Sequence, residues 1–466
     1  MPRLAEAQRA AWLRLRAELR RLLKGAGDQS TRTVLAAFDA LPYSASSSST
    51  WLPSEEQLSC GTSGIRTAMI ESSGLPIAAF EGFSSAVDTE RHALAMTDVD
   101  TPGTVAIYGG RIQRVERRDA AEENEPLSLL VSGKRLRWLR RAHDACDSHP
   151  SDATDAVREA LFRERLYRML ARYDGLGGGF AGAGSQAAVP PGVIDAFETW
   201  AGAPAMEAFA SPLNYRLTPA LEVPEVASRR GRPSGSSVIH GRRRQGPARI
   251  VTPWYCSAFP DVDAPFGSRG SFFDLPALPS SLSQPPTAHA GRHSSRPPLL
   301  PIIANPPYFG WAMAQLPSTL DRLLAQPDAP DAAVLVVLPA LAGRADHEAP
   351  HAAALAASPH LRHVVTLEAE RHVFCQGHVA RRGRPTHEFR RCRWATNLSL
   401  LSNVQLSPSV CEELLSKVKE AFRIPAEAAR EPGVYEEGSR NKRYFSLRRV
   451  QPRAATRRRV VRRRKQ

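Results

Sequence analysis

Residues 299–308 read LLPIIANPPY, in which an apolar run leads directly into Asn305-Pro306-Pro307-Tyr308. The run predicts a strand that is buried on both faces, and a second continuous run at 333–338, AVLVVL, predicts another. Apolar strands that alternate with helices favour an α/β fold with a doubly wound, largely parallel sheet. Such a sheet binds ligands beyond the carboxyl ends of its strands, which is where this tetrapeptide is expected to lie.

Further elements are predicted on both sides of this stretch. The other predicted strands are 104–108, 127–131 (a possible partner of the first), 206–210, 255–259, 363–367 and 395–401. The predicted helices are 4–24, 132–147, 151–173, 193–200, 316–324 and 408–422. A Gly-rich segment, GLGGGFAGAGSQ at 175–186, marks the main domain boundary. The predicted organisation is an N-terminal helical domain (1–174), an α/β domain (175–430) and a basic tail (431–466).

Positive charge is concentrated in appendages rather than in the globular part. Lys and Arg outnumber Asp and Glu by 62 to 47, which gives a net charge of +15. Residues 440–466 carry thirteen Lys or Arg and no acid, and 229–249 carry seven Arg and no acid. The combined positive charge of these two clusters exceeds the net charge of the chain, so the remaining residues are slightly acidic. Such clusters are typical of nuclear localisation signals and of arms that bind nucleic acid, so we expect a nuclear protein with a disordered tail.

Composition also excludes several classes of protein. An apolar content of 42% with 23% charged residues can build a packed core, so a wholly disordered chain is excluded. Two segments cannot contribute to that core, the Arg-, Gly- and Ser-rich 216–252 and the Pro-, Ser- and His-rich 277–298, and we expect both to be mobile insertions. The apolar runs are far shorter than the ~20 residues of a membrane span, so no membrane contact is expected. The six cysteines form no CxxC pair or zinc spacing, so we expect free thiols and no metal site.

The tetrapeptide at 305–308 fits methyl transfer to a planar amino group. The exocyclic amine of adenine is a poor nucleophile, because its lone pair is delocalised into the ring. The Asn305 side-chain oxygen and the Pro306 carbonyl oxygen can accept its two N–H groups, which favours a pyramidal nitrogen with its lone pair aimed at a sulfonium methyl group. Pro306 and Pro307 keep the turn rigid, and Tyr308 offers a ring on which the base can stack. Catalysis would rest mainly on orientation and electrostatics.

The residues alone leave a second interpretation of this tetrapeptide equally open. In that interpretation Asn-Pro-Pro merely ends a strand before a helix, and Tyr308 and Phe309 are aromatic residues of the core. The Gly-rich segment at 175–186 has two interpretations as well. It lacks the Gly-Lys-Ser/Thr ending of a phosphate-binding loop and follows no strong strand, so a hinge is favoured.

Six blocks of sequence carry a resemblance to a known family. In chain order they are GAGSQAAVP (182–190), MEAFASPLN (206–214), YCSAFPDVDAPFGSRGSFFD (255–274), NPPY (305–308), HLRHVVTLEAERHVFCQGH (360–378) and ATNLSLLSN (395–403). With these blocks the chain resembles the phosphorylated-CTD-interacting-factor family of cap-specific adenosine N6-methyltransferases. VSGKRLRWLRRAH (131–143) is similar to part of the family's helical domain.

The resemblance implies an α/β fold with a Rossmann-like class I methyltransferase domain and an N-terminal, mainly helical domain. It implies methyl transfer from S-adenosyl-L-methionine to N6 of 2′-O-methyladenosine, beside the 7-methylguanosine cap of mRNA. The residues that match the family's cofactor loop are Phe209, Ala210, Ser211, Pro212 and Asn214. The residues that match its catalytic motif are Asn305, Pro306, Pro307 and Tyr308, with Tyr where the family often has Phe. Asp261 and Asp263, in another matching block, either bind the cofactor ribose or only cap a loop, and Asn305 also adjoins the cofactor.

The chain departs from the family pattern at positions that help to hold the cap guanine. Acidic residues often follow the family's catalytic motif, where this chain has Phe309-Gly310-Trp311. The family commonly has Pro-Glu-Trp after the next strand, where this chain has Pro339-Ala340-Leu341. Animal members carry a WW domain for the phosphorylated polymerase tail, but the seven tryptophans of this chain have no WW-type spacing. Capped mRNA is therefore the expected partner, and binding of the RNA polymerase II tail through a WW domain is not.

Candidate RNA ligands lie near the predicted boundary and in one matching block. Arg168 and Arg172 belong to a basic helix face that either is solvated or contacts the RNA backbone, and His378 either lines the site or is structural. The leading hypothesis is a cap-proximal mRNA adenosine N6-methyltransferase. The alternatives are a non-catalytic relative that binds RNA or the cap, and an N6-adenine methyltransferase of internal RNA or DNA sites.

Overall fold

The protein is described by a computed structural model. The described residues are 2–27, 30–31, 34–35, 38, 52, 65–67, 69–70, 73–95, 104–109, 112–118, 128–146, 153–177, 188–215, 255–279, 299–308, 310–340, 350–375, 389–392 and 394–423. The chain divides into two units, 1–424 and 425–466, and the second lies outside the described residues. The predicted insertion at 216–252 and the predicted tail lie outside them as well, as does 277–298 except for its first three residues.

The N-terminal part combines long helices with a small antiparallel sheet. Its main helices are α1 (Pro2–Leu22), α2 (Ile77–Ala95), α3 (Gly133–Ala145) and α4 (Asp155–Gly177). Its strands, which pair in the order β1-β2-β3, are β1 (Thr104–Gly109), β2 (Ile112–Arg118) and β3 (Ser128–Ser132). Helix α1 is amphipathic, since Trp12, Leu15 and Leu19 recur at helical spacing and are fully or almost fully buried. Helix α3 begins after Ser132, whose hydroxyl accepts from the Arg135 amide at 3.2 Å and caps the helix.

The second part contains the larger sheet and its covering helices. The helices are α5 (Pro191–Ala201), α6 (Gly310–Leu324), α7 (Pro350–Ala357) and α8 (Pro408–Ala421). The strands are β4 (Met206–Glu207), β5 (Leu300–Ala304), β6 (Ala332–Pro339), β7 (Leu361–Leu367), β8 (Val373–Cys375), β9 (Phe389–Arg391) and β10 (Thr396–Ser402). Strands β8 and β9 form a separate antiparallel pair, and Cys375 of β8 also forms a bridge with Ala188.

The larger sheet has the strand order β4-β5-β6-β10-β7. Strands β4, β5 and β6 are parallel neighbours, whereas β10 runs antiparallel to both β6 and β7. Both β5 and β6 are buried along their whole lengths, as their apolar sequences predict. Ile303 and Leu335 pack with α5 and α8 on one face, and Ile302 and Val334 pack with α6 on the other. The architecture is therefore α/β, with helices on both faces of a mixed sheet.

The chain changes direction across the sheet at β4. Tyr255 forms a parallel bridge with Glu207 on one side of β4, and β5 pairs with β4 on the other side. The Cys256 amide donates to the Glu207 carbonyl at 2.9 Å, and the Ala208 amide donates to the Ile303 carbonyl at 2.9 Å. The connection from β4 leads to Tyr255 on one side, whereas the connection from its neighbour β5 leads to β6 on the other side. The carboxyl ends of β4 and β5 are therefore a topological switch point, where open α/β sheets form their ligand crevices.

A continuous core joins the N-terminal helices to the loops beyond β4. Leu15 of α1 and Leu166 of α4 belong to the same buried cluster as Leu213, Tyr255 and Phe266. The segments 210–215 and 255–266 are therefore packed from one side by the helical part of the chain. The domain boundary near residue 174 stays a prediction.

Several elements differ from the sequence prediction. The predicted strand at 255–259 is reduced to isolated bridges at Tyr255, and α2, α7, β8 and β9 were not predicted. The predicted strand at 127–131 was a possible partner of 104–108, but both strands pair with β2 (Ile112–Arg118). Strand β2 was not predicted, because its many charged residues do not resemble a typical strand sequence. Helix α6 begins at Gly310 rather than near 316, because the helix accommodates Pro317 in its interior. The predicted strand at 395–401 exists but is antiparallel, so the sheet is mixed rather than largely parallel beyond β6.

Candidate active site

The Asn-Pro-Pro-Tyr tetrapeptide lies at the carboxyl edge of the larger sheet. Strand β5 ends at Ala304, and Asn305 follows directly. Ile303 pairs with Glu207 at the end of β4, so the loop that leaves β4 starts beside the tetrapeptide. The predicted catalytic motif and the predicted cofactor loop are therefore brought to adjacent strands at the switch point.

Within the tetrapeptide, Tyr308 and Asn305 hold each other in place. The Tyr308 hydroxyl donates to Asn305 Oδ1 at 3.2 Å, and both side chains are half-buried. Burial raises the pKa of Tyr308 well above its usual range, so this hydroxyl stays protonated and remains a donor at neutral pH. An amide oxygen has two lone pairs, so Asn305 Oδ1 can accept a substrate N–H group in addition. Pro306 is buried, and Tyr308 packs against the apolar cluster on the α6 face of the sheet.

An exposed tryptophan adjoins Tyr308. The ring centroid of Trp394 lies 6.3 Å from that of Tyr308 in an edge-to-face arrangement, and Trp394 is 39% exposed. Its backbone is held on both sides, since the Cys392 thiol donates to the Trp394 carbonyl at 3.3 Å and the Ala340 amide donates to the Ala395 carbonyl at 2.7 Å. Sequence reasoning missed this residue, because Trp394 reaches the site only through the antiparallel direction of β10.

The loop after β4 contains several small residues, and its polar side chains form hydrogen bonds with one another. The Ser211 amide and hydroxyl donate to Asn214 Oδ1 at 2.6 and 2.9 Å, and the Asn214 amide donates to the Ser211 hydroxyl at 3.2 Å. The Ala210 amide donates to the Cys256 carbonyl at 2.9 Å. Ala210, Ser211 and Pro212 are buried, whereas Phe209 is half-buried. Ser211 and Asn214 therefore shape the loop, and its narrow side chains allow a ligand to approach the backbone closely.

Helix α3 supports this loop from the N-terminal part. Arg135 Nη1 donates to the Tyr215 carbonyl at 2.7 Å and to the Pro212 carbonyl at 3.3 Å. The Arg135 guanidinium also lies over the Trp138 ring, 5.2 Å from its centroid. Tyr215 in turn packs on Tyr255, with 4.8 Å between ring centroids. Sequence reasoning did not single out Arg135, and the only signal was its place in the block that resembles the family's helical domain.

Two residues predicted to bind different ligands form an ion pair with each other. Arg172 Nη2 of α4 lies 2.7 Å from Asp261 Oδ2, and the Arg172 side chain is only 6% exposed. Burial lowers the pKa of Arg172 to about 10, which the Asp261 carboxylate partly offsets. The pair joins α4 to the loop after Tyr255. Whether Arg172 also contacts RNA, and Asp261 the cofactor, stays a prediction.

A second contact lies beside this pair and is fully buried. The Tyr173 hydroxyl donates to Asp263 Oδ2 at 2.6 Å, and Asp263 has no solvent exposure. Burial raises the pKa of Asp263 to about 7, against the opposing effect of the Tyr173 hydrogen bond. This carboxyl group therefore titrates in the neutral range, and it ties the 260–274 loop to α4.

The remaining predicted site residues are distributed as follows. Arg168 is half-buried on α4, and His378 lies outside the described residues. Among the residues with described positions, no group of three or more His, Cys, Asp or Glu is arranged to hold a metal ion. Over that same part of the chain, no helix combines the length and apolar character needed to cross a bilayer.

Comparison with known proteins identifies the family. A family model described as phosphorylated CTD interacting factor 1 WW domain matches residues 145–377, half of the 466-residue chain. A search of curated proteins finds no match. The matched range includes α4, the loop after β4 and the Asn305–Tyr308 motif, and its tryptophans, Trp200, Trp254 and Trp311, are far apart. The chain therefore belongs to the phosphorylated CTD interacting factor family.

Proposed function

We propose that the protein is an S-adenosyl-L-methionine-dependent methyltransferase that methylates N6 of adenosine next to the 7-methylguanosine cap of mRNA. The observation that carries the proposal is the position of Asn305-Pro306-Pro307-Tyr308. The tetrapeptide follows a buried parallel strand, beside the loop that leaves the switch point at β4. Membership of the family supports the same reaction. The proposal includes a Rossmann-like class I methyltransferase fold for the α/β part of the chain.

The loop after β4 fits the methionine part of S-adenosyl-L-methionine. Ala208, Ala210 and Ser211 leave little side-chain volume between the backbone and a ligand at the carboxyl end of β4. When bound there, S-adenosyl-L-methionine supplies an electrophilic methyl group. The half-buried Phe209 contacts Phe272 edge-on and Phe273 at a tilt, with 5.3 Å between ring centroids in each case, and would form an apolar wall beside it.

In this proposal Asn305 and Pro306 orient the adenine amine. Asn305 Oδ1 accepts one N–H group and the Pro306 carbonyl oxygen accepts the other, so that the nitrogen lone pair points away from the ring plane. The Tyr308 hydroxyl fixes the Asn305 carboxamide before substrate arrives, so little reorganisation is needed at the moment of transfer. No described residue is assigned as a general base, because the methylated amine is acidic enough to lose its proton to water.

Tyr308 and Trp394 together form an aromatic corner for the nucleotide. The rings meet edge-to-face, so a base stacked on Tyr308 would have the exposed Trp394 ring along its side. Base–aromatic stacking contributes about 1–3 kcal/mol for each base in single-stranded recognition. The chain lacks the family's Pro-Glu-Trp after β6, and Trp394 lies beside that position through the Ala340–Ala395 hydrogen bond.

Partners and location follow from the charge pattern and the family. Capped mRNA is the proposed substrate, and the Arg-rich segment at 229–249 and the tail at 440–466 would add contacts to RNA that do not depend on sequence. The same basic clusters support a nuclear protein. Arg168 and His378 are proposed RNA contacts, whereas the burial of Arg172 makes its contribution indirect.

The decisive experiment supplies purified full-length protein with labelled S-adenosyl-L-methionine and three RNA substrates. One RNA is capped and begins with 2′-O-methyladenosine, the second is the same RNA without a cap, and the third carries adenosine only at internal positions. We expect methylation of the capped RNA at N6 of its first nucleotide. Equal methylation of the first two RNAs would contradict cap dependence, and preference for the third would favour an internal-site enzyme. Cofactor binding without transfer to any RNA would contradict the proposed activity.

The role of Asn305 is tested with a pair of variants. Removing a preorganised hydrogen-bonding group from an active site commonly lowers kcat by about 10²–10³-fold, and we expect that loss for Asn305→Ala. Asn305→Asp keeps the accepting oxygen and should retain more activity. Circular dichroism and calorimetric binding of S-adenosyl-L-methionine establish that both variants are folded. Undiminished transfer by Asn305→Ala would remove this residue from the mechanism.

A further inference from the structure

A basic cavity opens at the end of the larger sheet that is farthest from β4. Its volume is about 720 Å³, and it lies between the carboxyl end of β7, the β8–β9 pair and the last turn of α8. Its lining includes four cationic side chains, Arg371, Arg391, Lys419 and Arg423, and two carboxylates, Glu368 and Glu370. The lining therefore has an excess of two positive charges in a chain whose globular part is slightly acidic.

The ion pairs of Arg371 and Arg423 leave much of the positive charge of these two side chains available. Arg371 Nε lies 3.8 Å from Glu368 Oε2, and both side chains are at least three-quarters exposed, so their interaction is weak. Arg423 pairs with Glu420 at 2.6 Å, again with both side chains largely exposed. Lys419 makes no ion pair with any residue that the structure describes. A guanidinium has five N–H donors, so an arginine in a single exposed pair can still bind another anion.

Helix electrostatics explains only half of these cations. Lys419 and Arg423 lie at and just beyond the carboxyl end of α8, where positive charge stabilises the helix dipole without any ligand. Arg371 follows β7 and Arg391 ends β9, so neither lies at a helix terminus. Glu370, directly before Arg371, is the one described non-glycine residue with positive φ, at 61°, and its amide donates to the Cys392 carbonyl at 2.8 Å. The cations thus converge from separate elements through a turn of unusual conformation.

The cavity lies at the same edge of the sheet as the candidate active site. Leu367, which lines it, is the last residue of β7, and β7 points in the same direction as β5. Three strand spacings, about 14 Å, separate β5 from β7. His372 lines the cavity, and its Nε2 is hydrogen-bonded to Thr396 Oγ1 at 2.8 Å, two residues after Trp394. The segment from Trp394 to Thr396 therefore connects Tyr308 at one end with the wall of the cavity at the other.

We propose that this cavity binds backbone phosphates of the RNA strand whose adenosine lies against Asn305 and Tyr308. The inference rests on the proposed function and extends it to the path of the RNA. Arginines suit this task, because the guanidinium fork matches two phosphate oxygens, and a lysine adds a point charge. RNA is favoured over a phosphorylated peptide because the cavity, the exposed Trp394 ring and the base-binding tetrapeptide share one edge of the sheet.

The test compares two lysines of the same helix. Lys419 lines the cavity, whereas Lys417 lies on another side of α8, is 60% exposed and is paired with Glu413 at 2.6 Å. Full-length Lys419→Gln and Lys417→Gln proteins would be titrated with a fluorescent, capped RNA oligonucleotide over a range of salt concentrations. Each phosphate contact of a single strand contributes about 0.7 to the slope of log K against log salt. We expect the slope of Lys419→Gln to fall by about that amount and the slope of Lys417→Gln to equal that of the wild type.

The other outcomes separate this inference from its alternatives. The basic tail contributes equally to all three proteins, so equal slopes would refute phosphate binding in the cavity. A serine-phosphorylated peptide that binds wild type and Lys417→Gln but not Lys419→Gln, with unchanged RNA slopes, would assign the cavity to a peptide and overturn the inference. The readout is binding and not activity. If the slope is reduced in Lys419→Gln but the wild type transfers no methyl group, phosphate binding in the cavity is supported and the proposed function is contradicted.

Discussion

Replacing Asp263 with Asn is expected to remove a large pH dependence from the stability of this protein. Asp263 is completely buried, accepts a hydrogen bond from the Tyr173 hydroxyl, and has a pKa raised to about 7 by burial. In the unfolded chain an aspartate has a pKa of about 3.9. Between these two values the folded protein binds a proton that the unfolded chain has lost. The stabilisation is therefore fully present below about pH 4 and is lost as the pH rises through about 7.

The size of the effect follows from the two pKa values. Between pH 5 and a folded-state pKa of about 7, each pH unit changes the free energy of unfolding by about 1.4 kcal/mol. Raising the pH from 5 to 8 should therefore cost the wild type about 3 kcal/mol through this one group. Asn cannot ionise, and its side-chain oxygen can still accept from Tyr173. Asp263→Asn should thus become more stable relative to the wild type by about 3 kcal/mol as the pH rises from 5 to 8.

The measurement is urea unfolding of both proteins at pH 5 and pH 8, followed by tryptophan fluorescence. Asp274→Asn is the matched control, because Asp274 lies in the same segment but is exposed. A stability difference between wild type and Asp263→Asn that is the same at both pH values would refute the buried, titrating carboxyl group. It would also mean that the Asp263–Tyr173 contact, which ties this segment to α4, is not sensitive to pH.

Three further predictions concern the active site. Tyr308→Phe loses the hydroxyl that donates to Asn305 but keeps the ring, so kcat should fall by several-fold at most, about 1 kcal/mol. A loss as large as that of Asn305→Ala would contradict this assignment, because it would show that the hydroxyl supplies the main contribution of Tyr308. Trp394→Ala should raise KM for RNA by roughly tenfold or more at nearly constant kcat, because a stacking contact with the base is lost. The control, Trp200→Ala on α5, should change neither KM nor kcat, and equal effects of the two variants would show that Trp394 does not contact RNA. Arg135→Ala removes the hydrogen bonds to the Pro212 and Tyr215 carbonyls, so it should raise KM for S-adenosyl-L-methionine and leave KM for RNA unchanged. Arg137→Ala, at an exposed residue of the same helix, is the control. An unchanged KM for the cofactor in Arg135→Ala would show that this loop does not take part in cofactor binding.

The central strands and the position of the tetrapeptide were predictable from the sequence. Strands β5 and β6 are buried on both faces, and a doubly buried strand has to be apolar at every position, which is visible in LLPIIA and AVLVVL. Since Asn305 follows β5 directly, its place at the carboxyl edge follows from the same pattern. The family was predictable as well, and the family model over 145–377 confirms it.

Strand direction and long-range pairing were decided only by the tertiary structure. The sequence of β10 is equally compatible with parallel and antiparallel neighbours, because strand composition does not encode direction, yet its antiparallel direction brings Trp394 to Tyr308. Arg172 and Asp261 each have the chemistry of a ligand-binding residue, and only the packing of α4 on the loop after Tyr255 pairs them. Local sequence determined what each segment buries, because burial depends on the periodicity of its own side chains. Packing decided which polar groups meet, because those contacts join residues that are far apart in the chain.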